Sequence, residues 1–183
     1  MDKPSLELLG RRIQQLRLQQ GISLSQLAAA AGIAKSNLSR LEQGNGNPTL
    51  DTIWRLSLQL QLPFGDLIAP LRTAVGDDGV QVRLLDQGTD QPAVDAYWFS
   101  CAPNTRRDAE PHAKGTLERV TLISGELLVG PSSAPVRLTA GESFEFAADV
   151  AHCYQTGERW ATALLTIVYD SAASSTPGAH HAT

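Results

Sequence analysis

The sequence contains little cysteine and no long apolar run, and both absences restrict its class. Two cysteines in 183 residues, Cys101 and Cys153, cannot build a disulfide framework, which favours a reducing cytoplasm and leaves one disulfide between them open. No segment approaches the roughly 18 consecutive apolar residues of a membrane span. The residues that follow Met1 form no apolar signal region. We therefore expect a cytoplasmic protein without a membrane partner.

Charge is distributed unevenly along the chain. The net charge of the whole sequence is −4, which by itself argues against a nucleic-acid partner. Residues 1–69, however, contain seven Lys/Arg and five Asp/Glu, a net charge of +2, whereas residues 70–183 contain eight and fourteen, a net charge of −6. The first part of the chain therefore tolerates a phosphate-rich partner, and the second does not.

The segment from residue 21 to residue 44 predicts two short helices joined by a tight turn. Ser23 and Gln26 have the spacing of a capping box, and Gly32 supplies the left-handed residue that ends the first helix. The second helix is predicted over residues 35–43, with Leu38 and Leu41 facing inward. Its outer side then carries side chains that can reach phosphates and base edges, namely Lys35, Ser36, Asn37, Ser39 and Arg40.

Helical periodicity also covers residues 6–20, the residues after a Thr49 cap, and residues 63–68, with Trp54 and Phe64 as core residues. We predict a helical domain over residues 1–69 and, from the loss of periodicity, a linker over residues 70–79. Short apolar segments separated by Gly, Pro and Asp follow, which is typical of a sandwich or barrel over residues 80–170. The predicted strands are residues 80–85, 94–101, 117–129, 136–138, 143–146, 152–155 and 161–169. Residues 171–183 are small and polar and predict a disordered tail, in which His180 and His181 are incidental.

The helix-turn-helix segment resembles the XRE, or phage-repressor, family of DNA-binding domains. The residues that carry the match are Gly21, Ser23, Leu27, Ala28, Gly32, Leu38, Ser39, Arg40, Leu41, Glu42 and Gly44, followed by Asn47-Pro48-Thr49-Leu50. Ala34 departs from the family, which usually has Ser or Thr at the cap of the recognition helix. The alternative to this family is an ordinary helical hairpin.

The resemblance implies a five-helix, lambda-repressor-like domain that binds double-stranded DNA through its second short helix. It also implies that Asn45 and Asn47 touch the DNA backbone, although turn chemistry explains these two residues equally well. Finally, it implies an ion pair between Arg17 and Glu42 that ties the first helix to the recognition helix. The alternative is two separate solvated charges, since ion pairs at a surface are individually weak.

Two segments in the second half, residues 111–127 and 141–152, contain candidate metal ligands. They contribute two imidazoles and a carboxylate from different predicted strands: His112, Glu118 and His152. In a small barrel, these side chains can converge on one interior point, and zinc or iron accepts such a ligand set. The alternative is a hydrogen-bonded polar core that holds no metal.

The same two segments resemble the two motifs of the cupin family. The matching positions are His112, Glu118 and Gly125 in the first motif, and Gly141 and His152 in the second. Lys114 replaces the second histidine of the first motif, and Ala147 and Asp149 replace the usual turn residues of the second. The resemblance implies a metal site, most plausibly for zinc. Lys114 would either repel the metal or bind the anionic end of a ligand.

Taken together, the chain resembles the XRE–cupin transcription regulators, and within them the sulfur-utilisation regulator branch. The resemblance implies an α plus β protein with an all-α DNA-binding domain and an all-β cupin, a double-stranded β-helix or jelly-roll barrel. We expect a non-enzymatic, sequence-specific regulator whose cupin senses a small molecule, and which binds a two-fold symmetric operator as a homodimer. Two alternatives are a two-His, one-carboxylate oxygenase and a constitutive DNA-binding protein whose cupin is only structural.

Overall fold

Helices occupy the first part of the chain and strands the rest. The structure is a computed structural model, and it describes residues 1–71, 73–77, 79–88 and 90–169, in which five helices precede ten strands. The predicted tail, residues 171–183 with His180 and His181, lies outside the described residues. Among the described helices, none is both long and apolar enough to cross a membrane.

The helical domain follows the predicted pattern closely. Its helices are α1 (Lys3–Gln19), α2 (Leu24–Ala30), α3 (Lys35–Glu42), α4 (Leu50–Gln59) and α5 (Phe64–Ile68). The Ser23 hydroxyl accepts the Gln26 backbone N–H at 3.2 Å, and the Gln26 side chain accepts the Ser23 N–H at 2.9 Å, which confirms the capping box of α2. The Thr49 hydroxyl caps α4 by accepting the Thr52 N–H at 3.1 Å. Ala34 precedes α3 and offers no side-chain cap.

Arg17 and Glu42 form the predicted ion pair. Arg17 donates from Nε to Oε1 at 2.6 Å and from Nη2 to Oε2 at 2.8 Å, and the two side chains are only 7% and 4% exposed. Arg17 Nη1 also donates to the Ile22 carbonyl at 2.9 Å. The pair joins the end of α1 to the end of α3, the helix that carries the predicted DNA-reading residues. The alternative of two separate solvated charges is wrong.

Ten antiparallel strands form two sheets that face each other across an apolar core. The strands are β1 (Val75–Asp77), β2 (Val80–Gly88), β3 (Ala93–Cys101), β4 (Arg106–Ala109), β5 (Leu117–Ser124), β6 (Glu126–Pro131), β7 (Val136–Thr139), β8 (Ser143–Ala147), β9 (His152–Gln155) and β10 (Ala161–Tyr169). One sheet has the order β1-β2-β3-β10-β5-β8 and the other β4-β9-β6-β7. Alternate residues of β10 are buried, as expected for strands with one face on a core. The predicted barrel-like all-β domain is confirmed.

The strands differ from the prediction in three places. The predicted strand over residues 117–129 is two strands, because Gly125 has a φ of +86° and a Cβ there would lie 2.2 Å from the Trp160 carbonyl oxygen. β1 lies inside the stretch predicted as a linker, where Val75 is buried opposite Val82. β4 was not predicted, because its sequence is largely charged. Cys101 and Cys153 are both buried and free, so the disulfide left open by the sequence is absent from the described residues.

Backbone N–H groups at the start of α5 donate hydrogen bonds to polar side chains of the β domain. The Phe64 N–H donates to the Tyr169 hydroxyl at 3.2 Å, and the Gly65 N–H donates to Asp95 Oδ2 at 3.0 Å. Tyr97 and Tyr169 donate to the same Asp95 oxygen at 2.6 and 2.8 Å. A Cβ on Gly65 would lie 2.7 Å from that oxygen, so the close approach requires glycine. The two domains are therefore docked through a buried hydrogen-bond cluster.

The missing cap of α3 predicts a stabilising substitution. Ala34 has φ −63° and ψ 136°, the extended geometry of an N-cap residue. Ala34→Ser should therefore raise the free energy of unfolding by about 1 kcal/mol, because its hydroxyl can accept an N–H of the first turn. Thermal unfolding followed by circular dichroism measures the change. Ser23→Ala, which removes the cap of α2, should lower stability by a similar amount; an unchanged melting temperature for Ala34→Ser contradicts the prediction.

The buried Arg17–Glu42 pair predicts a non-additive mutant cycle. Arg17→Met or Glu42→Leu alone should cost about 3–5 kcal/mol, because each leaves a buried charge without its partner. The double variant should cost less than either single variant. Urea unfolding of the four proteins measures the coupling. The exposed pair Arg119–Glu145 is the matched control, and Arg119→Met should cost at most about 1 kcal/mol. Additive losses at Arg17 and Glu42 would show that the two charges act independently.

Candidate functional site

The predicted DNA-reading side chains lie on one side of α3. Leu38 and Leu41 are buried against the helical core, which turns the polar residues of α3 outward. Ser39 is half-buried, whereas the side chains of the other predicted contact residues are exposed: Lys35, Ser36, Asn37, Arg40, Asn45 and Asn47.

Three of these residues share a groove of about 360 Å³. Asn37 and Arg40 line it from α3, and Asn47 lines it from the turn that precedes α4. Thr49 and Thr52, in the first turn of α4, complete the wall. The groove therefore combines the recognition helix with the start of α4.

Asn45 lies in a small polar cluster beside this groove. Lys3 Nζ donates to Asn45 Oδ1 at 2.7 Å and to the Gly44 carbonyl at 3.1 Å, and Arg40 Nη2 lies 3.4 Å from the Asn45 carbonyl oxygen. Lys3 was not predicted to belong to this surface. Its position depends on how the N-terminus of α1 crosses the turn after α3, and local sequence patterns do not report such crossings.

The three predicted metal ligands meet inside the β domain. His112 lies in the connection between β4 and β5, Glu118 is the second residue of β5, and His152 begins β9. One ligand atom from each residue lies within 4.8 Å of the others. Glu118 Oε1 is 2.6 Å from His112 Nε2 and 3.7 Å from His152 Nε2. Glu118 and His152 are 1% and 0% exposed, so the cluster is shielded from solvent.

The hydrogen bonds of His152 leave one of its nitrogens available. Its Nδ1 lies 2.8 Å from the Val150 carbonyl oxygen, which can only accept, so Nδ1 carries the proton. Nε2 is buried and has no hydrogen-bond partner in the described residues. Burial lowers the pKa of His152, which keeps the imidazole neutral. A neutral imidazole with Nδ1 anchored on a carbonyl is the form in which histidine binds metals.

Glu118 is held as a carboxylate. Burial, the largest influence, would raise its pKa, but the hydrogen bonds that Glu118 accepts from His112 and Tyr154 lower it overall. Burial, followed by the charge of Glu118, raises the pKa of Tyr154, so Tyr154 remains a hydroxyl donor. The residues present thus fit a divalent cation: two imidazoles, one ionised carboxylate, and a buried nitrogen without a partner.

Helices α4 and α5 form part of the wall around this cluster. The indole of Trp54 stacks on the imidazole of His112, with ring centroids 3.8 Å apart and planes 20° apart, and it stacks on Phe64 at 4.4 Å. The cavity has a volume of about 30 Å³, and its remaining lining is mostly apolar: Leu50, Val80, Val82, Tyr97, Phe99, Ala109, Leu165 and Ile167. A water molecule needs about 10–15 Å³, so the space suits an ion and a water but no larger ligand.

Arg107 also lines the cavity, and sequence reasoning missed it. Its side chain is 12% exposed, and Nη2 lies 2.6 Å from Asp51 Oδ1 in the first turn of α4. Nη1 lies 3.9 Å from Asp77 Oδ1. Arg107 and Ala109 lie on the same face of β4, and this alternation could have indicated that Arg107 points inward. The signal was missed because β4 itself was not predicted.

Lys114, predicted to orient a ligand, is in a different position. Its side chain is exposed in the connection before β5 and is not among the residues that line the cavity. Its position therefore does not support the predicted role. Arg107 is the cationic side chain that does line the cavity.

Comparison with known proteins agrees with this architecture. A family model described as helix-turn-helix matches residues 13–67. The chain is 33% identical over 155 residues to the HTH-type transcriptional regulator SutR of Escherichia coli (strain K12), covering 81% of this chain and 87% of SutR. A crystal structure of an HTH_3 family transcriptional regulator from Vibrio cholerae superposes with a TM-score of 0.82 at 22% identity, over 92% of this chain and 99% of that one. The cupin domain of an XRE family transcriptional regulator from Enterobacter cloacae matches 50% of this chain and 97% of its own length, with 26% identity and a TM-score of 0.47.

A helix-turn-helix followed by a double-sheeted β domain with a buried polar cluster defines a two-domain DNA-binding regulator. The chain belongs to the XRE family of helix-turn-helix transcription regulators, and it is a homologue of SutR. The fold class and the family implied by the sequence are therefore confirmed.

Proposed function

We propose that this transcription regulator senses a small molecule through a divalent cation, most plausibly zinc, held by His112, Glu118 and His152. The observation that carries the proposal is the buried His152 Nε2, which has no partner in the described residues and lies 3.7 Å from an ionised carboxylate. A bound zinc ion would act as a Lewis acid with an open position for a ligand donor. The protein's own residues orient this site: the Val150 carbonyl fixes the His152 tautomer, and Tyr154 holds Glu118.

The DNA-binding role is assigned to the outer side of α3 and the turn that follows it. Arg40 and Asn37 have the chemistry to bind guanine and adenine edges in the major groove, and Lys35 suits a phosphate. Ser36, Ser39, Asn45 and Asn47 supply the shorter polar contacts that position a helix on the backbone. The +2 charge of residues 1–69 agrees with this role.

A homodimer on a two-fold symmetric operator completes the proposal. One chain carries one recognition helix, and half-sites are read about 34 Å apart by two copies. The β domain supplies the dimer contact in this arrangement. In support, Trp160 and Ile123 are 57% and 47% exposed there, and such large apolar side chains favour a partner surface. Residues 1–69 then act as reader, 70–79 as connection and 80–170 as sensor, in the cytoplasm, where two free buried cysteines persist.

An oxygenase is the second candidate, because two histidines and one carboxylate also bind iron(II) in such enzymes. The N-terminal DNA-binding domain, for which such an enzyme has no evident use, favours the regulator. Oxygen consumption by the iron(II)-loaded protein would favour the enzyme. A third candidate, a purely structural cupin, is favoured by the hydrogen bond between His112 Nε2 and Glu118, which pairs the two groups without a metal.

Substitutions on α3 separate base reading from phosphate binding. Asn37→Ala or Arg40→Ala should cost about 1–3 kcal/mol of operator binding and relax specificity at one base pair. Fluorescence anisotropy with the operator and its single-base variants measures both effects. Arg119→Gln, an exposed cation of the β domain, is the control and should leave affinity and specificity unchanged. An equal loss on every sequence would assign the altered residue to a phosphate instead.

Removal of the proposed ligands should abolish metal binding and leave basal DNA binding intact. His112→Ala and His152→Ala should each lose stoichiometric zinc, measured by elemental analysis after dialysis in a His180→Ala/His181→Ala background that removes the tail histidines. Tyr154→Phe keeps the ring and removes only the hydroxyl that holds Glu118, so zinc affinity should fall about 10–100-fold. If the purified protein takes up no zinc, and the double alanine variant still responds to its effector, the cluster is structural.

A further inference from the structure

Arg107 occupies a position that the proposed metal site does not explain. It lines the same cavity as His112, Glu118 and His152, yet its guanidinium is bound to Asp51, a residue of the DNA-binding domain. Asp77 accepts the Leu50 backbone N–H at 3.4 Å and lies 3.9 Å from Arg107. The positive charge of the cavity wall is thus balanced by Asp51 in the first turn of α4 and by Asp77 at the end of β1.

The chemistry of the cavity defines the ligand that would complete it. A guanidinium binds a carboxylate through two parallel hydrogen bonds, which is the strongest contact available to Arg107. A bound cation would leave a position for a neutral donor such as an amine, which would release its ammonium proton to solvent on binding. Phe99, Leu165 and Ile167, all from the β domain, provide apolar walls for a side chain. A carboxylate, an amine and an apolar side chain on one small molecule describe an α-amino acid.

We propose that Arg107 binds the carboxylate of a small apolar α-amino acid, which takes the guanidinium from Asp51 and releases the start of α4 from the β domain. The proposal rests on the proposed sensor function and names its ligand class and its route to the DNA. Space requires the same movement, because the cavity of about 30 Å³ is closed by Leu50, Trp54 and Phe64. All three belong to α4 and α5, so an amino acid enters only if these helices shift.

The contact between Arg107 and Asp51 lies within one helical turn of the groove that contains the proposed DNA-reading residues. Asp51 lies between Thr49 and Thr52, and both threonines line the groove that contains Asn37 and Arg40. A shift of the first turn of α4 therefore changes the groove directly.

Matched ligand pairs test the role of Arg107. The probes are L-leucine with 3-methylbutylamine, L-phenylalanine with 2-phenylethylamine, and L-methionine with 3-(methylthio)propylamine, each pair differing only in the carboxylate. Calorimetric titration of the zinc-loaded full chain should give at least one amino acid a Kd that is tenfold or more below the Kd of its amine. A tenfold difference corresponds to the smallest contribution that a charge-assisted hydrogen bond makes to binding. Arg107→Gln should reduce this ratio to about twofold or less while zinc remains bound.

Two further variants complete the experiment. Arg55→Gln removes the exposed ion pair with Glu110, which also joins α4 to the residue after β4, and should leave the ratio unchanged. Asp51→Asn removes the competing carboxylate, so it should tighten amino-acid binding. In the absence of ligand, the Asp51→Asn variant should also differ from the unaltered protein in operator affinity. The difference should have the same sign as the effect of the amino acid on the unaltered protein.

The outcomes separate the two proposals. If Arg107→Gln keeps the full ratio, the carboxylate binds the metal and Arg107 has no part in recognition. If zinc binds but no amino acid does, the ligand class is wrong and the metal site stands. If zinc itself does not bind, the sensor function fails, and this inference fails with it.

Discussion

The contact between Trp54 and His112 is the interaction on which the arrangement of the two domains depends. A side chain from the DNA-binding domain lies flat on a residue of the buried cluster in the β domain, 3.8 Å away between ring centroids. The stack also separates the inner cavity from an outer recess of about 50 Å³ beside Leu58 and Glu110. The site is therefore complete only while the two domains are docked.

The docking surface includes a buried carboxylate as well as apolar side chains. Asp95 is fully buried and accepts hydrogen bonds from Gly65, Tyr97 and Tyr169, while its Oδ1 has no partner in the described residues. Burial, together with the charge of Asp95, raises the pKa of both tyrosines, which keeps them as donors. Exposure to water would rehydrate the carboxylate, so separation of the domains recovers part of the free energy that the lost contacts cost. Such a surface favours one docking geometry without making it permanent.

The sequence was sufficient where structure depends on local chemistry. The caps at Ser23 and Thr49 and the positive φ of Gly32 follow from short-range rules, and all three are present. Family motifs predicted the convergence of His112, Glu118 and His152, which periodicity alone cannot supply.

Sequence reasoning failed where a residue owes its role to the docking of the domains. Arg107 lies in a short charged strand with no apolar alternation, and its partner Asp51 is 56 residues away. Trp54 was correctly assigned an inward face, but the pattern of α4 does not show that this face meets a second domain. Lys114 was chosen for its place in a motif; its side chain is exposed before β5, and its predicted role stays a prediction.

The shared wall gives a thermodynamic reason for communication between the two surfaces. A ligand changes an equilibrium between two arrangements only by the difference in its affinity for them. The two arrangements here have different cavity walls and therefore different affinities for a ligand. Leu50, Trp54 and Phe64 line the cavity only while α4 and α5 are docked. The coupling is also reciprocal. If the cavity binds the proposed ligand, an operator that favours one position of α4 must change the affinity of the cavity for that ligand by the same factor by which the ligand changes operator affinity.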